Sequence, residues 1–235
     1  MKTFIFLIIV LLTNIIQGIT GFAGTVLAMP FTILLLGIEV AKPLLNIVTL
    51  VACVLIVFES YKEIVWKEFL KMTAIMLVGV FIGEYIYALF PVDVLLIIYA
   101  IFIILIALKG IFVRKEYEVT DAVLIGMIVL SGIVHGMFLS GGPLLIIYAV
   151  KKLPKKAAFR ATLAPVWIVL NSYLLVKQFM GGFITTQIMV LSLISVPILI
   201  VAVIVGKKLY EHMSQKTFLM LSYMLLLISG ISLIL

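Results

Sequence analysis

The sequence predicts an all-α polytopic membrane protein, and three observations carry that prediction. Of its 235 residues, 66% are hydrophobic and only 11% are charged, with a mean hydropathy of +1.41. A soluble domain carries about 25% charged residues, so this surface is solvated by lipid rather than water. Apolar runs near twenty residues recur along the chain, which favours helices over the short alternating strands of a barrel. The net charge of +7 sits in short loops between these runs. That placement marks membrane topology and excludes a nucleic-acid partner.

Taken in order, the apolar stretches run over 3–37, 43–58, 68–90, 92–113, 121–150, 158–178, 184–205 and 216–235. Six suit single spans, although 43–58 is short. The first would make a helix of about 52 Å and the fifth one of about 45 Å, against a hydrocarbon core of ~30 Å. Both long stretches carry glycine in the middle, in Gln17-Gly18-Ile19-Thr20-Gly21-Phe22-Ala23-Gly24-Thr25 and in His135-Gly136-Met137-Phe138-Leu139-Ser140-Gly141-Gly142-Pro143. Glycine weakens a helix interior and permits sharp turns, and Pro143 suits the first turn of a new helix. Each long stretch therefore reads as two helical pieces joined by a glycine turn. The N-terminal run after Met1-Lys2 lacks a small-x-small cleavage pattern before the apolar sequence resumes at Phe22, so it reads as part of the mature protein.

Charge fixes the parity of the broken stretches. If each crosses once, Lys and Arg divide 8 against 9 between the two sides. If each returns to its starting side, the division is 14 against 3, with only Lys2, Lys42 and Lys177 opposite the rest. The positive-inside rule selects the second. It places both termini outside and the loops near 59–71, 109–120, 151–160 and 206–216 in the cytoplasm. A re-entrant hairpin and two tight spans give the same parity. Either way, residues 1–118 and 119–235 become two membrane repeats within one integral unit. Each is a glycine-broken hairpin followed by three transmembrane helices, and the two are inverted relative to one another. Gly18 and Gly136 lie 118 positions apart, and Ala23-Gly24 matches Gly141-Gly142 at the same offset. Gly83 with Gly110 and Gly206 with Gly230 recur late in each half. Inverted repeats with helices broken at mid-membrane are a transporter architecture.

Helix breaks leave backbone N–H groups free inside the bilayer, where only a cavity or surrounding protein tolerates them. A helix start carries about half a positive charge. The helices starting near Gly24 and Gly142 are thus expected to form an anion site, with Thr20, Thr25 and Ser140 as further donors. Asn46 and Thr49, in the span after the first break, and Asn171 and Ser172, after the second, either join helices or line the cavity. His135 beside the second break is either a packed, hydrogen-bonded group or a proton carrier. Glu84 either reaches the outer interface or serves gating and proton coupling. Arg160 either marks topology or attracts anions on the cytoplasmic side. Trp66, Tyr85, Tyr87, Tyr99 and Tyr210 mostly read as interfacial aromatics.

The alternatives are weak. A single cysteine, Cys53, within an apolar run rules out a disulfide framework and reads as a packing residue. No metal or cofactor site is expected. An intramembrane enzyme needs convergent catalytic groups, and the chain has only two histidines, with Asp93 and Asp121 near loops. A non-transporting scaffold gains nothing from backbone exposed at mid-membrane. No nucleotide-binding motif occurs, so an ion or proton gradient, or the gradient of the substrate itself, is the expected energy source.

The stretch Gln17 to Pro30 resembles the N-terminal signature of the TauE/SafE family of sulfite and organosulfonate exporters. Gly136 to Tyr148 resembles its second copy. Lys156-Ala157-Ala158-Phe159-Arg160-Ala161-Thr162, running on to Asn171, is similar to the stretch that follows that copy. The resemblance covers essentially the whole chain. It departs at Ala23 and Thr25, where the family often has further glycine. It implies a multi-pass exporter in the cell membrane that moves sulfite, a sulfonate such as sulfoacetate, or another small anion. On this reading Gln17, Gly18, Thr20, Gly21, Gly24, Thr25, Asn46, His135, Gly136, Ser140, Gly141, Gly142 and Asn171 surround the substrate. Glu84, His135 and Arg160 gate it or couple it to protons.

Overall fold

The computed structural model describes residues 1–112 and 120–214, together with 216, 217, 220, 223, 224, 227, 228, 230 and 231. Its elements are helices, in the order α1 (Lys2–Thr20), α2 (Ala23–Leu36), α3 (Ile38–Ser60), α4 (Trp66–Leu89), α5 (Val92–Phe112), α6 (Asp121–Phe138), α7 (Gly142–Lys152), α8 (Lys156–Met180) and α9 (Thr186–His212). Most of the expected seam at 109–120 and most of the last expected span, 216–235, lie outside the described residues. Arg114 and Lys115 lie there too.

Each long apolar stretch is broken where glycine clusters, yet the two turns use different residues. Gly21 ends α1 in the left-handed region at φ 80°, and its N–H donates to the Gln17 carbonyl. Leu139 ends α6 at φ 56°, and its N–H donates to the His135 carbonyl. The second turn is thus not made by glycine. A leucine in this region costs roughly 1–2 kcal/mol and persists only where its surroundings hold it. Here burial of the Leu139 side chain holds it, together with the bond from Ser131 Oγ to the Gly141 carbonyl at 2.7 Å. Pro143 occupies the first turn of α7, where it lacks nothing.

Helix lengths separate the pieces. α1, α3, α4, α5, α6, α8 and α9 are long and apolar enough to cross a membrane. α2, with 14 residues, reaches about 21 Å, and α7, with 11, reaches about 16 Å, near half a hydrocarbon core. Each broken stretch is therefore a full-length helix followed by a shorter one. α3 also differs from the expected run, since it starts at Ile38 and takes Glu39 and Lys42 into its first turns.

Packing joins the two halves. α1 lies along α9, α4 along α6 and α3 along α8, while α3 also meets α9 and α4 meets α8. Glycines set the closest crossings. A Cβ on Gly83 would sit 2.1 Å from the Ile133 carbonyl oxygen, and one on Gly206 would sit 2.5 Å from that of Ile15. Without side chains at these crossings, dispersion between close backbones substitutes for a hydrophobic drive that lipid does not supply.

The basic loops gather at one end. Glu59 Oε2 lies 3.5 Å from Arg160 and 3.9 Å from Lys207. The Val65 N–H donates to Thr162 Oγ1 there, Tyr148 donates to Glu68 at 2.5 Å, and Lys156 donates to the carbonyls of Tyr210 and Met213. Lys42 and Lys177 line a cavity at the opposite end.

Candidate functional site

The two breaks meet inside the bundle. Phe22, at the turn between α1 and α2, packs against Gly142 at the start of α7. Around this junction is a small cavity of about 10 Å³, lined by Gln17, Phe22, Thr25, Thr49, His135, Leu139, Gly142, Trp167 and Asn171. That is room for about one water. Of the residues expected around a substrate, Gln17, Thr25, His135, Gly142 and Asn171 thus come together.

The two helix starts are not equivalent. At α2 the Gln17 Oε1 accepts the Gly24 N–H at 2.7 Å, and the Thr20 hydroxyl accepts the N–H groups of Phe22 and Ala23. Protein groups therefore already occupy the positive end of α2. At α7 no side chain caps the helix. Pro143 has no N–H and the Leu144 N–H turns onto the Gly141 carbonyl, so the first turn leaves the N–H of Gly142, a residue of the cavity wall. One helix start is thus capped by side chains and the other is not.

Two buried polar side chains wait beside the open helix start. His135 and Asn171 are 2% and 1% exposed. They face one another, yet neither ring nitrogen of His135 and neither amide atom of Asn171 has a hydrogen bond of good geometry. Buried polar atoms are nearly always partnered, so such a pair marks a place for a ligand or an ordered water. The His135 ring also lies over Trp167, with centroids 5.2 Å apart. The indole N–H of Trp167 donates to the Gly21 carbonyl at 2.9 Å, tying α8 to the first break. Thr25 and Thr49 share a hydrogen bond across α2 and α3.

The other expected residues have different surroundings. The Thr20 and Ser140 hydroxyls donate to the carbonyls of Ile16 and Phe138, so neither points an O–H into the cavity. Short hydroxyl side chains readily bond to nearby backbone in this way. Gly18 packs on Val203 and Gly206, Gly136 on Val80, Gly141 on Ser131, and Gly21 on Arg160. These four glycines permit close approach of helices and do not line the cavity. Asn46 lies one layer away, donating to the Asn171 carbonyl at 3.2 Å and to Gln178 Oε1 at 2.8 Å.

A second, larger cavity of about 330 Å³ opens at the end opposite the basic loops. Glu39, Lys42, Glu84, Tyr87, Lys177 and Gln178 are among its walls. Glu84 is paired, with Lys177 at 2.9 Å and the Tyr173 hydroxyl at 2.9 Å. At the basic end Arg160 is buried, and its Nε donates to the Gly18 carbonyl at 2.6 Å. The aromatics are not all interfacial. Tyr99 is buried and stacked on Phe138, Tyr87 lies under Lys42, and Tyr210 lies under Arg160. Sequence reasoning missed Lys42 and Trp167. A tryptophan inside a span, two residues past Pro165, was the available signal for the second.

Among the described residues no group of three or more His, Cys, Asp or Glu is placed to hold a metal ion. Searches among curated proteins and among solved structures found no match. A family model described as Sulfite exporter TauE/SafE matches residues 6–233. That match and the seven apolar helices among the described residues make the chain a multi-pass protein of the cell membrane, in a family of transporters. The chain belongs to the TauE/SafE sulfite exporter family.

Proposed function

We propose that the chain is a secondary transporter that exports a small anion, sulfite or an organosulfonate such as sulfoacetate. The anion is held at mid-membrane by the start of α7. The observation that carries this reading is the α7 start, without a side-chain cap, beside the buried and facing His135 and Asn171, which make no hydrogen bond of good geometry. A helix start neutralises an oxyanion without a buried cation, and His135 and Asn171 add donors around it. The cavity, at about 10 Å³, is smaller than any such anion, so this is a closed form that widens as one half rocks against the other.

The proposed architecture is two inverted repeats, 1–118 and 119–235, with the basic end in the cytoplasm and both termini outside. What supports it is a correspondence of contacts at a fixed offset of 118 positions. Gly21 and Leu139 end their helices in the same left-handed turn, onto the carbonyls of Gln17 and His135. Gln17 reaches Cys53, as His135 faces Asn171. Gly18 also packs on the Val203 backbone as Gly136 packs on that of Val80, although these two partners lie 123 positions apart. Alternating access then exchanges the environments of two similar halves around one site.

The experiment is flux of sulfite, sulfoacetate and sulfate into or out of liposomes holding the purified chain. Saturable movement of sulfite or sulfoacetate, absent from empty liposomes, supports the reading. A folded chain that moves none of the three removes this substrate class.

A further inference from the structure

The larger cavity holds a cation with no carboxylate in direct contact. Lys42 stands on α3 at its inner wall, with its ammonium 3.9 Å above the Tyr87 ring and 3.4 Å from the Gly136 carbonyl. Among the described residues no carboxylate lies within 4.0 Å of it. The other charges facing this cavity are Glu39, Glu84 and Lys177. Glu84 is paired with Lys177 and Tyr173, so Glu84 and Glu39 act on Lys42 only across the cavity and neither touches it.

The surroundings of Lys42 repeat at the other end of the molecule. Arg160 lies 118 positions after Lys42. Each cation donates to a carbonyl at the same place in the opposite half, Lys42 to Gly136 and Arg160 to Gly18. Each also lies over a tyrosine of a neighbouring helix, Tyr87 on α4 and Tyr210 on α9. Beside each is an ion pair with its signs exchanged, Lys177 to Glu84 at one end and Glu59 to Lys207 at the other. The difference lies in saturation. Arg160 is 5% exposed and bonded to both Gly18 and Glu59, whereas Lys42 borders about 330 Å³ of open space. Sites for small ligands have volumes of roughly 300–1,000 Å³.

We infer that Lys42 binds the transported class of anion, a small sulfur oxyanion, at the floor of this cavity. It is thus a staging site between the central site and the outside. The inference rests on the proposed transport of such anions. The bound anion supplies the contacting charge that Lys42 lacks, and Tyr87 holds the ammonium in place from below. Asn46 and Gln178 separate this site from the central one, because Asn46 bonds to both Gln178 and the Asn171 carbonyl. Arg160 is the equivalent cation at the basic end, and its bonds to Gly18 and Glu59 close that end in this form.

The test is calorimetric titration of the purified chain with sulfoacetate and with sulfite, in parallel with the liposome flux. Lys42→Met is expected to weaken binding about tenfold or more. Lys42→Arg is expected to stay within about threefold. Lys208→Met, which removes a charge from the exposed end of α9, is expected to bind as the unaltered chain does. Binding by Lys42→Met equal to that of the unaltered chain overturns the inference, while continued flux leaves the transport reading intact. An unaltered chain that binds neither anion overturns the inference too. Binding that depends on Lys42 without flux sustains the outer site and removes the transport reading. If Lys42→Met fails to fold, Lys42→Cys is alkylated with 2-bromoethylamine, which rebuilds a lysine-like ammonium. Cys53 is fully buried and does not compete. Affinity that does not return on aminoethylation, or that returns equally with neutral iodoacetamide, contradicts the assignment.

Discussion

Replacing Gly83 with alanine tests how tightly the glycine crossings set the site. The new methyl carbon would lie 2.1 Å from the Ile133 carbonyl oxygen and 2.9 Å from its carbon, all of it backbone. Ordinary contact begins near 3.4 Å, so α4 and α6 must part by about an ångström. Overpacking of this kind costs roughly 1–3 kcal/mol, and no flexible side chain is present to absorb it. Gly18→Ala is the matched comparison, because its nearest atoms lie at 3.2 Å and need move only a few tenths of an ångström. The shift also matters for function, since α6 carries His135 into the central cavity. Thermal unfolding in detergent, followed by size-exclusion, should show Gly83→Ala well below Gly18→Ala, with flux lost in the first and largely kept in the second. Equal melting temperatures for the two variants would refute the claim that this crossing is set by backbone contact.

Trp167→Phe removes the N–H that the Gly21 carbonyl accepts and leaves that buried oxygen short of a partner, at a cost of about 1–3 kcal/mol. The melting temperature is expected to fall and flux to drop with it. A variant as stable as the unaltered chain would mean that the bond does not hold the first break. Tyr148→Phe removes the 2.5 Å bond to Glu68 from a fully buried ring, and a bond to a charged group contributes about 1.5–3 kcal/mol. Adding Glu68→Gln to that variant should cost little more. Fully additive losses in this double-mutant cycle would show that the two groups act separately.

Much of the architecture is legible in the sequence because the bilayer constrains length so severely. Two apolar stretches too long for one span, each with glycine at its centre, leave little choice but a break. The charge division then groups the loops that the structure brings together around Glu59, Arg160 and Lys207. Hydroxyl direction is less legible. Thr20 and Ser140 stand beside the breaks as expected, but bonds to their own backbone turn them away. The inequality of the two helix starts is invisible for a similar reason, since a cap by Gln17 seven residues before Gly24 depends on the turn between them. Leu139 gave no sign of a left-handed turn, because nothing in its type favours one. Lys42 read as a topology mark because a lone lysine at the end of a span ordinarily is one. Only its tertiary setting, against Tyr87 and Gly136, distinguishes it.

The central claim is that the start of α7 holds the anion, and Gly142→Leu tests it most directly. Any side chain at this position enters the space held by Phe22, whose ring would be 2.8 Å from the first added carbon. Gly126→Leu is the control, because a side chain at that position of α6 meets nothing within 4 Å. Both variants are compared with the unaltered chain for saturable sulfite and sulfoacetate flux in liposomes, after each is shown to elute as a folded species. The account predicts flux abolished in Gly142→Leu and retained in Gly126→Leu. Flux retained in folded Gly142→Leu, with unchanged half-saturation, would contradict it.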